Sequence, residues 1–412
     1  MRLYCGIDWA ENHHDVALVD PEGQLVARAR IADDAAGYGQ LLRLLAEHGD
    51  GPDNRIPAAI ETSRGLLVAA LRGSGRPVFA INPMAVSRYR ERHTTARKKS
   101  DHVDAMALAN ILRTDMNVHR PLPADTELAQ AIAVLARAQQ DAVWDRTQAS
   151  NKLRSHLREY YPAALAAFAE VRDGLAAPLA RALLAAAPTP ARAARLTTAQ
   201  YRAILRRAGR QRGIDAEAQR LATIFRADYL HQADTVEEAM GQRTLALLRQ
   251  LDAACVSADE LEAAAIEHLR QHPDAEILTS FPGVGELTAA RLLGEIGDDR
   301  TRFADARALK AYAGAAPVTR ASGKSIHVMN RRVKNQRLAA TGYTWAFCAL
   351  TRSPGARAHY DRRRQAGDRH TAAQRNLFNR LLGCLYHCLT TGQRYDEANA
   401  FPTPDTDLAL AA

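Results

Sequence analysis

Cysteine is too scarce and too irregularly spaced to build a framework: the chain has five, Cys5, Cys255, Cys348, Cys384 and Cys388, and no two stand as C-x-x-C. That excludes a disulfide scaffold and a structural zinc ribbon, and it indicates a reducing compartment. Cys384, His387 and Cys388 fall at helical spacing, but without a fourth ligand they read as small residues on a buried helix face. Long apolar runs are missing too. No eighteen uninterrupted apolar residues occur and the opening MRLYCGIDWA has no signal core, so neither a membrane span nor secretion is expected and the cytoplasm is the expected compartment. Gly-rich phosphate loops are absent, which counts against a nucleotide-binding protein of the actin and sugar-kinase type. Aromatic residues make up only 6% of the chain.

What is abundant is Ala, Leu and Arg, a composition that favours helices. At 412 residues the chain exceeds what one hydrophobic core usually serves, so two or three folded units are expected. The net charge of +9 points to a polyanionic partner, with the placement of the charge left to decide.

The first third alternates strand and helix patterns. Leu3 to Asp8, Val16 to Asp20 and Gln24 to Ile31 read as three strands of an antiparallel meander, the second and third joined by a Pro21-Glu22-Gly23 turn. A helix capped at Asp33 or Asp34, a strand Ala58 to Glu61, a helix through Leu66 to Leu71, a strand Val78 to Ile81 and a helix from Asp101 to Leu112 follow. Three antiparallel strands followed by β-α-β units describe a ribonuclease H-like α/β fold. From Thr126 the pattern turns to long helix: Leu128, Ile132, Leu135, Gln139, Ala142, Arg146, Ala149 and Leu153 recur on steps of three and four, which fits a coiled-coil arm or one amphipathic helix of a larger bundle. Ala-rich helices broken by prolines run from Tyr161 to Ala239, and another patterned helix from Thr244 can return antiparallel to the first. The expected domains are 1–125, 126–272, 273–400 (mainly helical) and a disordered tail, 401–412.

Four acids in the first domain carry chemistry. Asp8 ends the first strand in CGIDWA, Glu61 ends a later strand in AAIETS, and Asp101 and Asp104 share a helix face in SDHVDA. Taken singly, Asp101 is an N-cap and Asp8 a strand end. Together, clustered carboxylates need cations, and Mg²⁺ takes oxygen ligands while keeping waters and phosphate oxygens, so metal-assisted chemistry at a phosphodiester is the natural use. A basic run, Arg88, Arg90, Arg92, Arg97, Lys98 and Lys99, immediately precedes the acidic pair and suits a phosphate partner or a solvated loop equally.

In the last domain, ILTSFPGVGELTAARLLGEIG sets Pro282-Gly283-Val284-Gly285 between two helices, the helix-hairpin-helix pattern, whose glycines at Gly283 and Gly285 allow close backbone approach to phosphate or simply turn a packing corner. Further on, ASGKSIHVMNRRVKNQR surrounds Ser322 with Arg320, Lys324, Arg331, Arg332, Lys334 and Arg337 and no acid, a stretch expected to bind phosphates. Ser322 reads as a phosphate hydrogen-bond donor or as a nucleophile, with Ser325 competing for either role.

The combined pattern resembles the DEDD-type insertion-sequence transposases, relatives of the pilin-inversion recombinases that include RNA-guided bridge recombinases. The resemblance spans nearly the whole chain and rests on GIDWA, AAIETS, INP at Ile81 to Pro83, SDHVDA, SFPGVG and AYAGAAPVTRASGKS. It implies a RuvC-like N-terminal domain binding Mg²⁺ through Asp8, Glu61, Asp101 and Asp104, and a C-terminal domain supplying Ser322 as the nucleophile. It further implies donor and target DNA as substrates, a noncoding guide RNA pairing with both, and a homo-oligomer, dimer to tetramer, held by coiled-coil arms. Val318 stands where relatives often carry a basic residue, and Tyr161 to Ala239 is long for the family. A water-using RuvC-like nuclease and a non-catalytic nucleic-acid scaffold are the alternative readings.

Overall fold

The computed structural model describes residues 2–93, 101–323 and 325–402, with His93 and Asp101 defined by backbone alone. The chain divides into two compact units, Met1–Ala124 and Asp125–Ala412.

The first unit contains β1 (Tyr4–Trp9), β2 (His13–Val19), β3 (Leu25–Ala32), α1 (Ala35–Glu47), β4 (Ala58–Ile60), α2 (Leu66–Gly73), β5 (Val78–Ala80), α3 (Pro83–His93) and α4 (Asp101–Asp115). The sheet order is β3-β2-β1-β4-β5; β1, β2 and β3 are antiparallel, whereas β4 and β5 add parallel to β1. This is the mixed sheet expected from the sequence. Alternation along β1 sorts its side chains: Cys5 and Ile7 join Leu41, Leu45, Leu67 and Leu71 from α1 and α2, while Tyr4 joins Leu108 and Leu112 of α4 on the other face. Burial pushes the Cys5 thiol up to about 12, which leaves it an inert core residue. The basic run before the acidic pair is helical as far as His93, in α3, where the sequence reading left a loop open.

Gly6 sets the height of α4 above the sheet. A methyl group there would fall inside the carbonyl oxygen of Ala105 and against the amide nitrogen of Ala109, so the helix backbone lies directly on β1. The helix runs antiparallel to β1. Its C-terminal end meets the β2–β3 turn, where Arg113 Nη1 donates to the Pro21 carbonyl at 3.1 Å, and that turn lies beyond Val19, the partner of Tyr4.

The second unit contains α5 (Glu127–Arg158), α6 (Pro162–Ala167), α7 (Pro178–Ala186), α8 (Pro190–Ala194), α9 (Thr198–Arg207), α10 (Ile214–Phe225), α11 (Asp234–Arg270), α12 (Ala275–Thr279), α13 (Glu286–Ile296), α14 (Ala306–Tyr312), β6 (Val318–Ser322), β7 (Ser325–Met329), α15 (Gln336–Ala349), α16 (Pro354–Gln365), α17 (His370–Thr391) and α18 (Glu397–Ala400). The two long helices, α5 and α11, pack antiparallel: His156 Nε2 lies 2.9 Å from the Met240 carbonyl, and Gln139 pairs with Glu262 at the other end. The prolines of the middle region start helices rather than breaking them, since Pro162, Pro178 and Pro190 each sit in a first turn. The helices they start enclose a core of their own around Tyr160, Tyr161, Tyr201 and Phe225. A separate core gathers α12–α17 around Trp345 and Phe378. All five cysteines are free thiols. Among the described residues no helix is long and apolar enough to cross a membrane. The tail beyond Pro402 lies outside the described residues.

The first unit also has a buried ion pair. Asp50 is gripped by both terminal nitrogens of Arg76, each at 2.8 Å, by Arg55 at 3.1 Å and by the amide of Ile56 at 2.7 Å. Burial pushes the carboxyl up, but these donors outweigh it and hold Asp50 down at about 2.

Two outcomes are expected. Gly6→Ala destabilises the first unit by roughly 3 kcal/mol because α4 cannot stay on β1; hydrogen exchange should lose protection in β1 and α4 together, and unchanged protection in both would refute the close-contact account. Asp50 binds its proton more weakly when folded than unfolded, so its stabilisation is complete above the ordinary carboxylate range and disappears as pH falls toward about 2. Asp50→Asn should remove about 2 kcal/mol of acid-dependent stability, flattening the lower end of a stability-against-pH curve relative to the native chain.

Candidate active site

Asp8 is the penultimate residue of β1, and Glu61 directly follows β4. Because these strands are parallel neighbours in the register Ile7↔Ile60, both acids emerge at one sheet edge, each half-buried. The antiparallel course of α4 brings its N-terminal turn to that same end of β1, and Asp104 lies there, buried and ion-paired with Arg90 of α3. Asp101 begins the same helix, and its side chain is outside the described residues. Among the described residues no three His, Cys, Asp or Glu side chains close tightly around a metal-sized space, so the acids share an edge without forming a closed cage.

The register adds an acid that sequence reasoning missed. Asp15 of β2 pairs with Asp8 across the sheet, and Arg30 of β3 pairs in turn with Asp15. Arg30 grips Asp15 through Nη2 at 2.8 Å and Nε at 3.2 Å. Asp8, Asp15 and Arg30 therefore form one row on the face that α4 covers further along β1. The signal available for it was the short Ala10-Glu11-Asn12 connection, since the turn between β1 and β2 fixes which β2 residue opposes Asp8.

The second unit carries Ser322 on a two-stranded ribbon. The basic stretch around Ser322, to which the sequence reading assigned no strand, forms one: β6 and β7 pair antiparallel from Val318↔Met329 to Ser322↔Ser325, closed by a turn in which Gly323 adopts a left-handed φ of 56°. The β-branched residues Val318, Thr319, Ile326 and Val328 around a two-residue turn explain the ribbon and were the overlooked signal. Its root is fixed by Asn335, whose amide donates to the Tyr312 carbonyl at 2.8 Å and whose Nδ2 donates to the Tyr312 hydroxyl at 2.7 Å and to Glu295 at 2.6 Å. Glu295 is buried on α13 and takes Arg137 of α5 in a two-pronged pair at 2.7 and 3.1 Å.

The basic residues predicted around Ser322 divide by environment. Arg320 and Arg332 are exposed, Arg331 reaches the Ala316 carbonyl at 3.4 Å, and the Lys334 stem lies over Gly314. Arg337 is committed within the unit: it holds Asp141 at 2.7 and 2.9 Å and lies over the Trp144 ring. Lys324, like Arg97, Lys98 and Lys99 earlier, lies outside the described residues. In the Pro-Gly-Val-Gly segment, Gly283 has a φ of 76° and packs against the backbone of Cys348 and Ala349, so its close approach is to α15. Gly285 caps α13 with open space beside it, and Glu286 after it pairs with Arg270 at 2.7 and 2.9 Å. An arginine-rich stretch that entered no predicted site, Arg362 to Arg364 and Arg369, lies at the α16–α17 corner, legible in the sequence as D-R-R-R.

Two transposase family models match the chain, a DEDD transposase model of the IS110 type over residues 5–162 and an IS116/IS110/IS902 family model over residues 275–361. The chain is 63% identical over 401 residues to the "Mini-circle putative transposase for IS117" of Streptomyces coelicolor, covering 97% of both proteins. It is 27% identical to the uncharacterized 42 kDa protein of insertion element IS900 from Mycobacterium paratuberculosis, covering 96% of this chain and 98% of that one. Among solved structures, T. thermophilus RuvC in complex with a Holliday junction substrate aligns at 19% identity with a TM-score of 0.23, over 30% of this chain and 100% of that one. That overlap is too slight to carry the fold, which rests on strand order. Matched along nearly its full length by a relative of such identity, the chain belongs to the IS110 family of transposases.

Proposed function

We propose that the chain cleaves and rejoins DNA for the movement of an insertion element, with a metal-binding acidic edge in its first unit and Ser322 as the nucleophile. The observation that carries this reading is the convergence of Asp8, Glu61 and Asp104 on one sheet edge by strand register and by the direction of α4. The donor set fits a hard divalent cation, because every candidate ligand is a carboxylate oxygen. Asp8, Glu61 and Asp104, with Asp101 one turn before Asp104, would hold Mg²⁺, which when bound supplies charge neutralisation at the phosphate oxygens.

On the serine side, Ser322 stands at the tip of an exposed ribbon with Arg320 on the same face, suited to meet a backbone phosphate. Its oxygen would attack phosphorus and release a deoxyribose hydroxyl, keeping the bond energy in a phosphoserine so that religation needs no ATP. Exposed arginines, Arg320 and Arg332 among them, and the amide end at Gly285 would position DNA without reading bases. Base reading would pass to a noncoding guide RNA that pairs with donor and target DNA, as the family resemblance implies. The domains proposed for these tasks are 1–125, 126–272 and 273–400, and a dimer-to-tetramer assembly through the α5 and α11 arms would supply both chemistries.

Purified with its co-purifying RNA and Mg²⁺, the chain is expected to form a covalent adduct with DNA carrying the flanks of its own gene, visible on a denaturing gel. Ser322→Ala should abolish the adduct and strand transfer, and Asp8→Asn should lower cleavage by at least about 100-fold. A Ser322→Ala variant that cleaves normally would establish the water-using nuclease instead, and unimpaired recombination by Asp8→Asn and Glu61→Gln would leave a scaffold.

A further inference from the structure

The ribbon's register places four polar side chains on one face. Ser322 opposes Ser325 and Arg320 opposes His327, and because strand residues alternate, the serines, the arginine and the imidazole point the same way. Thr319, Ala321, Ile326 and Val328 point the other way. On the polar face, the Ser325 hydroxyl lies 2.8 Å from His327 Nε2.

The surroundings make that contact chemically pointed. From Ala306 to Ala358 the sequence contains no Asp or Glu and a single His, His327. A serine hydroxyl needs a base to become a nucleophile, arginines cannot accept a proton, and within this segment an imidazole is the one side chain that does so near neutral pH. Directly opposed residues on an antiparallel pair have Cβ atoms about 5 Å apart, within reach of a hydroxyl-to-hydroxyl hydrogen bond. Ser322 and Ser325 thus face each other across the tip of the ribbon, Ser325 in contact with His327, with the charged Arg320 facing His327 from the neighbouring strand.

We infer that His327, acting through the Ser325 hydroxyl, takes up the proton that Ser322 releases on attack. The inference rests on Ser322 being the nucleophile. The Ser322 oxygen forms a bond to phosphorus as its proton passes to the Ser325 oxygen, and the Ser325 proton passes to His327 Nε2. The bond from phosphorus to the deoxyribose oxygen breaks, its electron pair stays on that oxygen, and water supplies the proton for the hydroxyl formed. Religation runs the same path backward, with the imidazolium returning the proton. His327 is a positioning residue, since it touches Ser325 rather than DNA.

A test free of DNA, RNA and metal uses the full-length chain carrying Ser322→Cys, alone and combined with Ser325→Ala or His327→Gln, with iodoacetamide as the probe and mass spectrometry reading alkylation at position 322. The glutamine keeps a hydrogen bond to Ser325 but cannot take a proton. At neutral pH the single variant should be alkylated about tenfold faster than either double variant, with its rate-against-pH curve displaced to lower pH, because a base within reach raises the thiolate fraction. Equal rates and coincident curves in all three would overturn the relay. Failure of the nucleophile assignment is read separately, by unimpaired DNA cleavage in Ser322→Ala, and leaves the alkylation comparison standing on its own.

Discussion

The backbone contact between α4 and β1 at Gly6 is the constraint on which the first unit depends. A helix laid on a sheet ordinarily stands off by the thickness of its side chains, about 10 Å between axes. With no side chain on Gly6 and alanines at 105 and 109 facing it, α4 descends until its backbone meets the strand. That descent brings the acid-bearing turn of α4 to the level of the Asp8 and Glu61 backbones, at the same end of β1. The two halves of the acidic edge therefore have different origins. Asp8 and Glu61 are set by hydrogen-bonded register, which is insensitive to side-chain volume, whereas Asp104 is set by a packing height that one methyl group would change.

The second unit solves the opposite problem. The β6–β7 ribbon is exposed on both faces and gains little from burial, so its direction must come from its root. Asn335 supplies it by doing three things at once: its backbone closes onto Tyr312, its Nδ2 reaches Glu295, and its Oδ1 caps α15 through the Leu338 amide at 2.9 Å. Glu295 is buried and would be costly alone, but Arg137 and Asn335 together satisfy both of its oxygens. A polar network of this kind ties α5, α13 and α15 to the strand that carries the serines.

Much of this was legible in the residues themselves. The meander and the β-α-β units followed from two-residue and three-to-four-residue periodicities, and the carboxylates stood out because acids at strand ends have no packing role. Asp15 stayed hidden because its place opposite Asp8 is decided by where the turn between β1 and β2 begins, and a shift of one residue would have placed it on the other face. The ribbon was hidden by its composition: the basic residues around Gly323 mask the β-branched Val318, Thr319, Ile326 and Val328. The prolines of the middle region misled in a simpler way, since a proline that breaks a helix and one that begins it look alike until the preceding cap is known. Thr189 ahead of Pro190 is such a cap, its hydroxyl accepting from the Arg192 amide at 3.3 Å.

The placement of reactive groups on edges and tips, rather than in enclosed hollows, follows from the size of the substrate proposed for them. A duplex cannot enter a cavity lined by a few side chains, so the groups that act on its backbone must project or lie at an open rim. Projection sacrifices the desolvation that normally activates a nucleophile, so under the proposed reading compensation has to be local. The serine ribbon carries its own imidazole in hydrogen-bond contact with Ser325, and the sheet edge carries a guanidinium on Asp104 and another on Asp15. In each case the partner group comes from the same element or an adjacent one.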